Sequence, residues 1–219
     1  MKKLILAFIF LGIFVAGPAH ADLFGFDCIT NNLLGDAAIG EAQLSVDVTD
    51  AGSNQVLFAF SNTGPDASSI TQIYFDDGVL SGIASIDDSD SGVSFSTGAS
   101  PPDLPGGNNA SPAFVTTAGF LASSDSPVQP NGVNPGESLG ILFNLIDDKV
   151  FGDVLDSIYS GALRIGLHVQ GFASKGSESF INGSSNNTNP IPEPATMLLL
   201  GSGLVGLAGF GRKKFFKKP

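Results

Sequence analysis

The chain has 219 residues, a formal net charge of −11, one cysteine and no tryptophan. A single thiol excludes an internal disulfide framework, and this degree of acidity disfavours nucleic acid and anionic surfaces as partners through the field of the net charge. Stability has to come from a hydrophobic core, which a chain of this length can build.

In chain order, Met1-Lys2-Lys3, an apolar run from Leu4 to Val15 and then Ala16-Gly17-Pro18-Ala19-His20-Ala21 supply the basic, apolar and small-residue parts of a secretory leader. The A-x-A site made by Ala19 and Ala21 predicts a signal peptide over 1–21 and a mature chain that begins at Asp22. Lipoprotein processing at Cys28 is disfavoured, because Phe26-Asp27 lacks the small residue expected before a lipidated cysteine. Between Asp22 and Pro190 only Lys149, Arg164 and Lys175 oppose twenty acidic residues, so the exported body carries about −17. Cys28 reads as a small buried hydrophobe in a first strand, with pairing to a second chain as the alternative.

Period-two alternation rich in β-branched and aromatic residues predicts strands at 43–49, 55–61, 70–75, 79–86, 93–95, 114–121, 138–145, 163–170 and 179–181. Turn clusters such as Ser61-Asn62-Thr63-Gly64-Pro65 and Asn131-Gly132-Val133-Asn134-Pro135-Gly136 separate them. Gly98 to Pro112 reads as a loop or exposed excursion at one end. One helix is predicted over Asp153–Tyr159, capped by Asp153 and stopped by Gly161. The expectation for 22–181 is an all-β domain, an antiparallel β-sandwich of jelly-roll or Ig-like type with one short helix.

Chemistry is sparse in this body. His168 is its single histidine, which excludes a His-rich metal site within one chain. A Ser-His-Asp arrangement around it is formally available, but alternation places His168 on the polar face of a strand with Arg164, Gly166 and Gln170, and no Gly-x-Ser-x-Gly elbow accompanies it. Asp87, Asp88 and Asp90, just before Gly92, are weak calcium candidates because hard oxygen ligands precede a glycine turn. If Gly92 is position six of an EF-type loop, Gly98 stands where the bidentate glutamate belongs, so a hairpin turn is favoured. Asp76-Asp77 and Asp147-Asp148 are similar pairs at strand ends. A glycosidase needs two carboxyls across a cleft, and with no tryptophan and only Tyr74 and Tyr159 a sugar platform is poorly supplied.

Residues 182–191 form a polar linker, and 192–219 have three parts. Pro192-Glu193-Pro194 forbids a continuous helix and leaves an extended junction with one carboxylate. Ala195 to Gly211 is an uncharged segment at the lower limit for a transmembrane helix. Arg212, Lys213, Lys214, Lys217 and Lys218 then hold the end on the cytoplasmic side. Gly201-Ser202-Gly203-Leu204-Val205-Gly206 matches a dinucleotide fingerprint, but no acidic residue follows it, so small residues on a membrane helix are the better reading.

These parts, in this order, resemble the PEP-CTERM sorting signal of Gram-negative bacterial surface proteins, over about the last thirty residues; 161–181 also resembles a segment of such proteins. The resemblance implies recognition of Pro192, Glu193 and Pro194 by an exosortase, a membrane-embedded cysteine transpeptidase-like enzyme. It also implies membrane attachment through the C-terminal helix before processing, and an association with exopolysaccharide and biofilm. The expected function is a non-enzymatic surface or matrix component without a cofactor. The alternatives are a Ca2+-assisted carbohydrate-binding module and, behind it, a hydrolase.

Overall fold

The computed structural model describes residues 21–76 and 78–183. The elements are β1 (Ala21–Cys28), α1 (Leu34–Gln43), β2 (Leu44–Gly52), β3 (Gln55–Asn62), β4 (Ser69–Asp76), β5 (Leu80–Asp87), β6 (Phe95–Thr97), β7 (Leu121–Ser124), β8 (Ser138–Leu145), α2 (Phe151–Ser160), β9 (Arg164–Gln170) and β10 (Glu178–Asn182). All pairings are antiparallel. They join the strands into one nearly closed sheet, in the order β5-β8-β3-β2-β1-β10-β9-β4-β7-β6.

The sheet turns on β1. Ala21 to Gly25 pair with β2, and Phe26 to Cys28 pair with β10. The change of partner falls after Gly25, where a missing Cβ eases a bend. One strand therefore serves two half-sheets, a first half β5-β8-β3-β2-β1 and a second half β1-β10-β9-β4-β7-β6. The predicted all-β antiparallel class holds, but the separate sheets expected of a sandwich are continuous through β1.

Inward residues of the two halves meet in an aromatic core. Phe75 of β4 lies 5.1 Å from Phe58, 6.2 Å from Phe60 and 4.6 Å from Phe143, centroid to centroid and edge-on. Each such pair adds about 0.5–1.5 kcal/mol beyond its burial. These contacts, rather than backbone pairing, tie β3 and β8 to β4.

Eight of the nine predicted strands lie close to observed ones; the ninth, 114–121, is displaced. Thr117-Ala118-Gly119-Phe120 closes a turn, with the Phe120 amide donating to Thr117 O at 2.9 Å and Gly119 at φ 85°, so β7 starts only at Leu121. A tenth strand, β1, expected only as the first strand that holds Cys28, runs over Ala21–Cys28. Among the described residues two α-helices stand where one was expected in the body. In α2 the N-cap is Val150, and Asp153 caps from the third helical position by accepting the Val150 amide at 2.9 Å; Gly161 ends the helix in the left-handed region as predicted. The new helix, α1, has no side-chain cap of its own and contains Gly35 and Gly40, which mask its signal. Gly40 is required by packing, since a Cβ there would sit 2.1 Å from Phe180 Cζ.

The excursion from Gly98 onward does not project from one end. It lies over the outer face of the second half-sheet, where Leu104 and Phe114 are buried with Tyr74, Leu121 and Ile181. Gly166 of β9 makes room for it, because a Cβ there would meet Leu104 Cδ2 at 2.7 Å and Phe114 Cζ at 3.1 Å. At the C-terminal end of the body, Asn182 Oδ1 accepts the Ile165 amide at 2.6 Å and the Gly183 amide donates to Gly25 O at 3.1 Å. Ordered structure thus reaches into the predicted linker. Among the described residues no helix is long and apolar enough to cross a membrane. The predicted membrane segment lies outside the described residues.

Candidate functional site

Three polar constellations in the body are candidate sites. The first is the acidic turn after β5. Asp87 Oδ1 accepts the Ser89 amide at 3.3 Å, Asp88 Oδ2 accepts the Phe95 amide at 3.0 Å, and Asp90 Oδ2 accepts both the amide and the hydroxyl of Ser138, at 2.8 and 2.7 Å. Asp125 repeats the device, accepting from the Ser94 and Ser96 hydroxyls at 2.8 Å each. Serine donors hold the pKa of Asp90 and of Asp125 below the usual carboxylate range. These carboxylates are turn staples tying β6 to β7 and β8. Among the described residues no group of three His, Cys, Asp or Glu side chains is arranged to hold a metal ion.

The second lies on the outer face of the second half-sheet. His168 pairs across β9 with Gln72 of β4 and Ser179 of β10. Its Nδ1 is 2.8 Å from Gln72 Oε1, and Gln72 Nε2 donates to Ser100 O at 3.0 Å. Alternation had placed His168 on a polar outer face, and the covering excursion leaves it only 9% exposed. Burial lowers its pKa from the usual histidine value. Ser179 Oγ is buried with no hydrogen-bond partner. Further along the same face Arg164 pairs with Asp76, donates to Pro112 O and Ala113 O at 2.6 and 2.7 Å, and lies 5.3 Å over the Phe114 ring. Asp76 also accepts the Val115 amide at 3.2 Å. One arm of the excursion is thus fastened through Gln72 and Tyr74, whose hydroxyl donates to Pro101 O at 3.0 Å. Arg164 fastens the other. A Ser, a His and a Gln stand in one row, but Ser179 is 1% exposed, so no substrate reaches it in this conformation.

The third surrounds Glu178, which the sequence reading missed. The residue is 1% exposed, and its carboxylate accepts the Thr30 hydroxyl, the Asn32 amide at 3.0 Å and the Leu33 amide at 2.7 Å. Burial opposes the charged form, but the Thr30 hydroxyl and the Leu33 and Asn32 amides outweigh it and lower the pKa. A side chain from β10 therefore caps α1, supplying the negative charge that a helix start favours. The Cys28 thiol, 3.5 Å from Glu178 Oε2, is pushed up by burial first and by the Glu178 charge last, against hydrogen bonds from Asn31 and Thr30 that lower it. It stays a neutral thiol, not the thiolate that nucleophilic chemistry requires.

A cavity of about 210 Å3 opens beside the β2–β3 turn, lined by Asp50, Asn54, Gln55, Lys149, Val150 and Phe151 among others. Its polar groups are engaged within the chain. Asp50 holds the Gly52 amide, Asn54 donates to Leu145 O, Gln55 donates to Asn144 and Lys149 pairs with Asp153 at 3.6 Å.

The terminal candidates, Ala19 at the leader and Pro192, Glu193, Pro194, Arg212, Lys213, Lys214, Lys217 and Lys218 at the tail, lie outside the described residues, while Ala21 is the first residue of β1. Residues 190–213 match the family model described as a PEP-CTERM protein-sorting motif. No curated protein and no solved structure matches the chain.

Proposed function

We propose, from the premise that residues 190–213 are a PEP-CTERM protein-sorting motif, that this chain is exosortase cargo whose β domain is a non-enzymatic component of the cell surface or extracellular matrix and accompanies exopolysaccharide. The motif carries the reading and makes the chain an exported, envelope-associated protein. The leader ending at Ala21 supports it from the other terminus. In the body, the polar clusters at Asp90, Glu178 and Arg164 spend their hydrogen bonds on holding loops and helices to the sheet, which supports a scaffold role over turnover.

Intact mass of the protein recovered from its native cells, fraction by fraction, tests the proposal. A chain starting at Asp22 and ending near Pro192 to Pro194, outside the inner membrane, is the expected result. Retention of Pro219 in the inner membrane overturns it and makes the tail an ordinary anchor. Recovered material is then assayed on polysaccharides. Capture that chelation abolishes turns the body into a Ca2+-assisted carbohydrate module, and turnover turns it into a hydrolase.

A further inference from the structure

We propose that the row Ser179–His168–Gln72–Ser100 is an acid-sensitive clasp, and that protonation of His168 frees the arm 98–104 from the second half-sheet while the arm at 112–115 stays fastened. The proposal concerns the body alone and does not depend on how the tail is processed.

The hydrogen-bond roles in this row are determined by one carbonyl. Ser100 O can only accept, so the group 3.0 Å away is the Gln72 amide nitrogen, and Gln72 Oε1 is the atom that faces His168 Nδ1. Nδ1 must then carry the proton, and Nε2 is left with its lone pair. The imidazole is held as one neutral tautomer by the residue that pins the arm.

A second proton therefore goes to Nε2, and no counter-charge awaits it. β4 presents the neutral Gln72 to the ring, β10 presents the neutral Ser179, and the excursion is joined to this row by the Ser100 carbonyl, which accepts from Gln72. Ser179 Oγ is buried and makes no hydrogen bond, and a neutral hydroxyl cannot neutralise a protonated Nε2. Glu178 is next to Ser179 in β10 and therefore projects to the opposite side of the strand, where Thr30, Asn32 and Leu33 hold it. The Asp76 charge is paired with Arg164, and Asp103 raises the Tyr74 pKa rather than acting on the ring. An imidazolium here is desolvated and unpaired, the costly combination. Lifting the 98–104 arm hydrates it.

The two arms differ in what lifting them breaks. On the first, the bonds are neutral: Gln72 to Ser100 O, Tyr74 to Pro101 O, and the Ser123 hydroxyl to Gly98 O at 2.8 Å. On the second, a guanidinium donates to two carbonyls and pairs with a carboxylate, and such charge-assisted bonds are roughly twice as strong.

The sign follows from linkage. Burial depresses the histidine pKa in the closed form, while the open form titrates near the usual value of about 6.5. The closed form is therefore fully favoured above that value. As the pH falls below it, the open population rises by up to about tenfold per pH unit until the closed-form pKa is reached.

Hydrogen exchange on the full chain, corrected for the intrinsic pH dependence of amide exchange, reads this out between pH 7 and pH 5. Amides of 98–104 are expected to speed up by up to about thirtyfold, with those of 113–117 changing less than about twofold. His168→Asn keeps a side-chain amide near Gln72 and removes the titrating ring, so the acceleration should vanish. Uniform behaviour of both arms in the wild type, or an unchanged acceleration in His168→Asn, overturns the proposal. Should the variant not fold, ring titration of His168 in the wild type by NMR decides: a midpoint below the usual histidine value supports the clasp, and one at or above it overturns it.

Discussion

β3 and β4 carry the same kind of sequence and meet opposite surroundings. Gln55 to Asn62 alternates strictly between partly exposed and buried residues, whereas Ser69 to Phe75 is buried at every position, and β9 is buried from Ile165 to Val169. Both halves of the sheet present one face to the common aromatic core. Their outer faces differ. The first half keeps small residues such as Ser45, Ala59 and Gly140 on its outer face, in contact with solvent, while the second is roofed by the excursion through Leu104 and Phe114. Alternation in a sequence reports which residues can face water. It does not report whether water is there.

The strongest way to break the comparison is at the aromatic core both halves share. Phe75→Ala removes the ring that meets Phe58, Phe60 and Phe143, and a loss of about 3–5 kcal/mol is expected from the cavity. Denaturant unfolding should show one transition at lower midpoint, because neither half keeps its core. Two separated transitions would mean that the halves fold independently.

A smaller effect is expected at Glu178, which fixes α1 to the second half alone. Glu178→Gln replaces a charge-assisted acceptor of one hydroxyl and two amides and should cost about 1.5–3 kcal/mol. Because the folded-state pKa is lowered, the wild-type carboxylate contributes in full above the usual glutamate range, and its contribution is lost as the pH falls through the lowered value. The difference in stability between wild type and variant should therefore shrink on acidification. A difference independent of pH would show that packing, not charge, is what Glu178 provides.

The smallest effects sharpen the contrast of the outer faces directly. Gly166→Ala puts a methyl 2.7 Å from Leu104 Cδ2 and should cost about 1–2 kcal/mol by overpacking the roof. Leu104 is flexible enough to keep the cost from rising further. Ala59→Ser on the outer face of the first half should stay within about 0.5 kcal/mol. Equal shifts in melting temperature for the two variants would remove the distinction between a roofed face and an open one.

Much of the strand content could be read in advance, because a strand with one buried face must alternate. β8 was predicted to the residue, and β3 lost only Asn62 at its end. Failures came where a long-range partner decides. α1 lacks a local cap, and its cap is Glu178, well over a hundred residues away in sequence. Phe114 looked like the start of a strand and is instead part of the roof. Asp87, Asp88 and Asp90 were weak candidates for a cation beside the favoured reading as a hairpin turn, and in the fold each accepts from the protein itself.

The sorting motif at 190–213 was legible without a fold, since the Pro192-Glu193-Pro194 junction, the apolar run and the basic end are contiguous local chemistry. The sequence by itself also determined the β class, through periodicity and turn residues. Long-range packing is what makes β1 common to both halves, roofs one face with the excursion and buries His168 beside an unpartnered Ser179. Those outcomes depend on which distant backbone atoms and side chains come together, and a one-dimensional pattern carries polarity and period but not the identity of the neighbour.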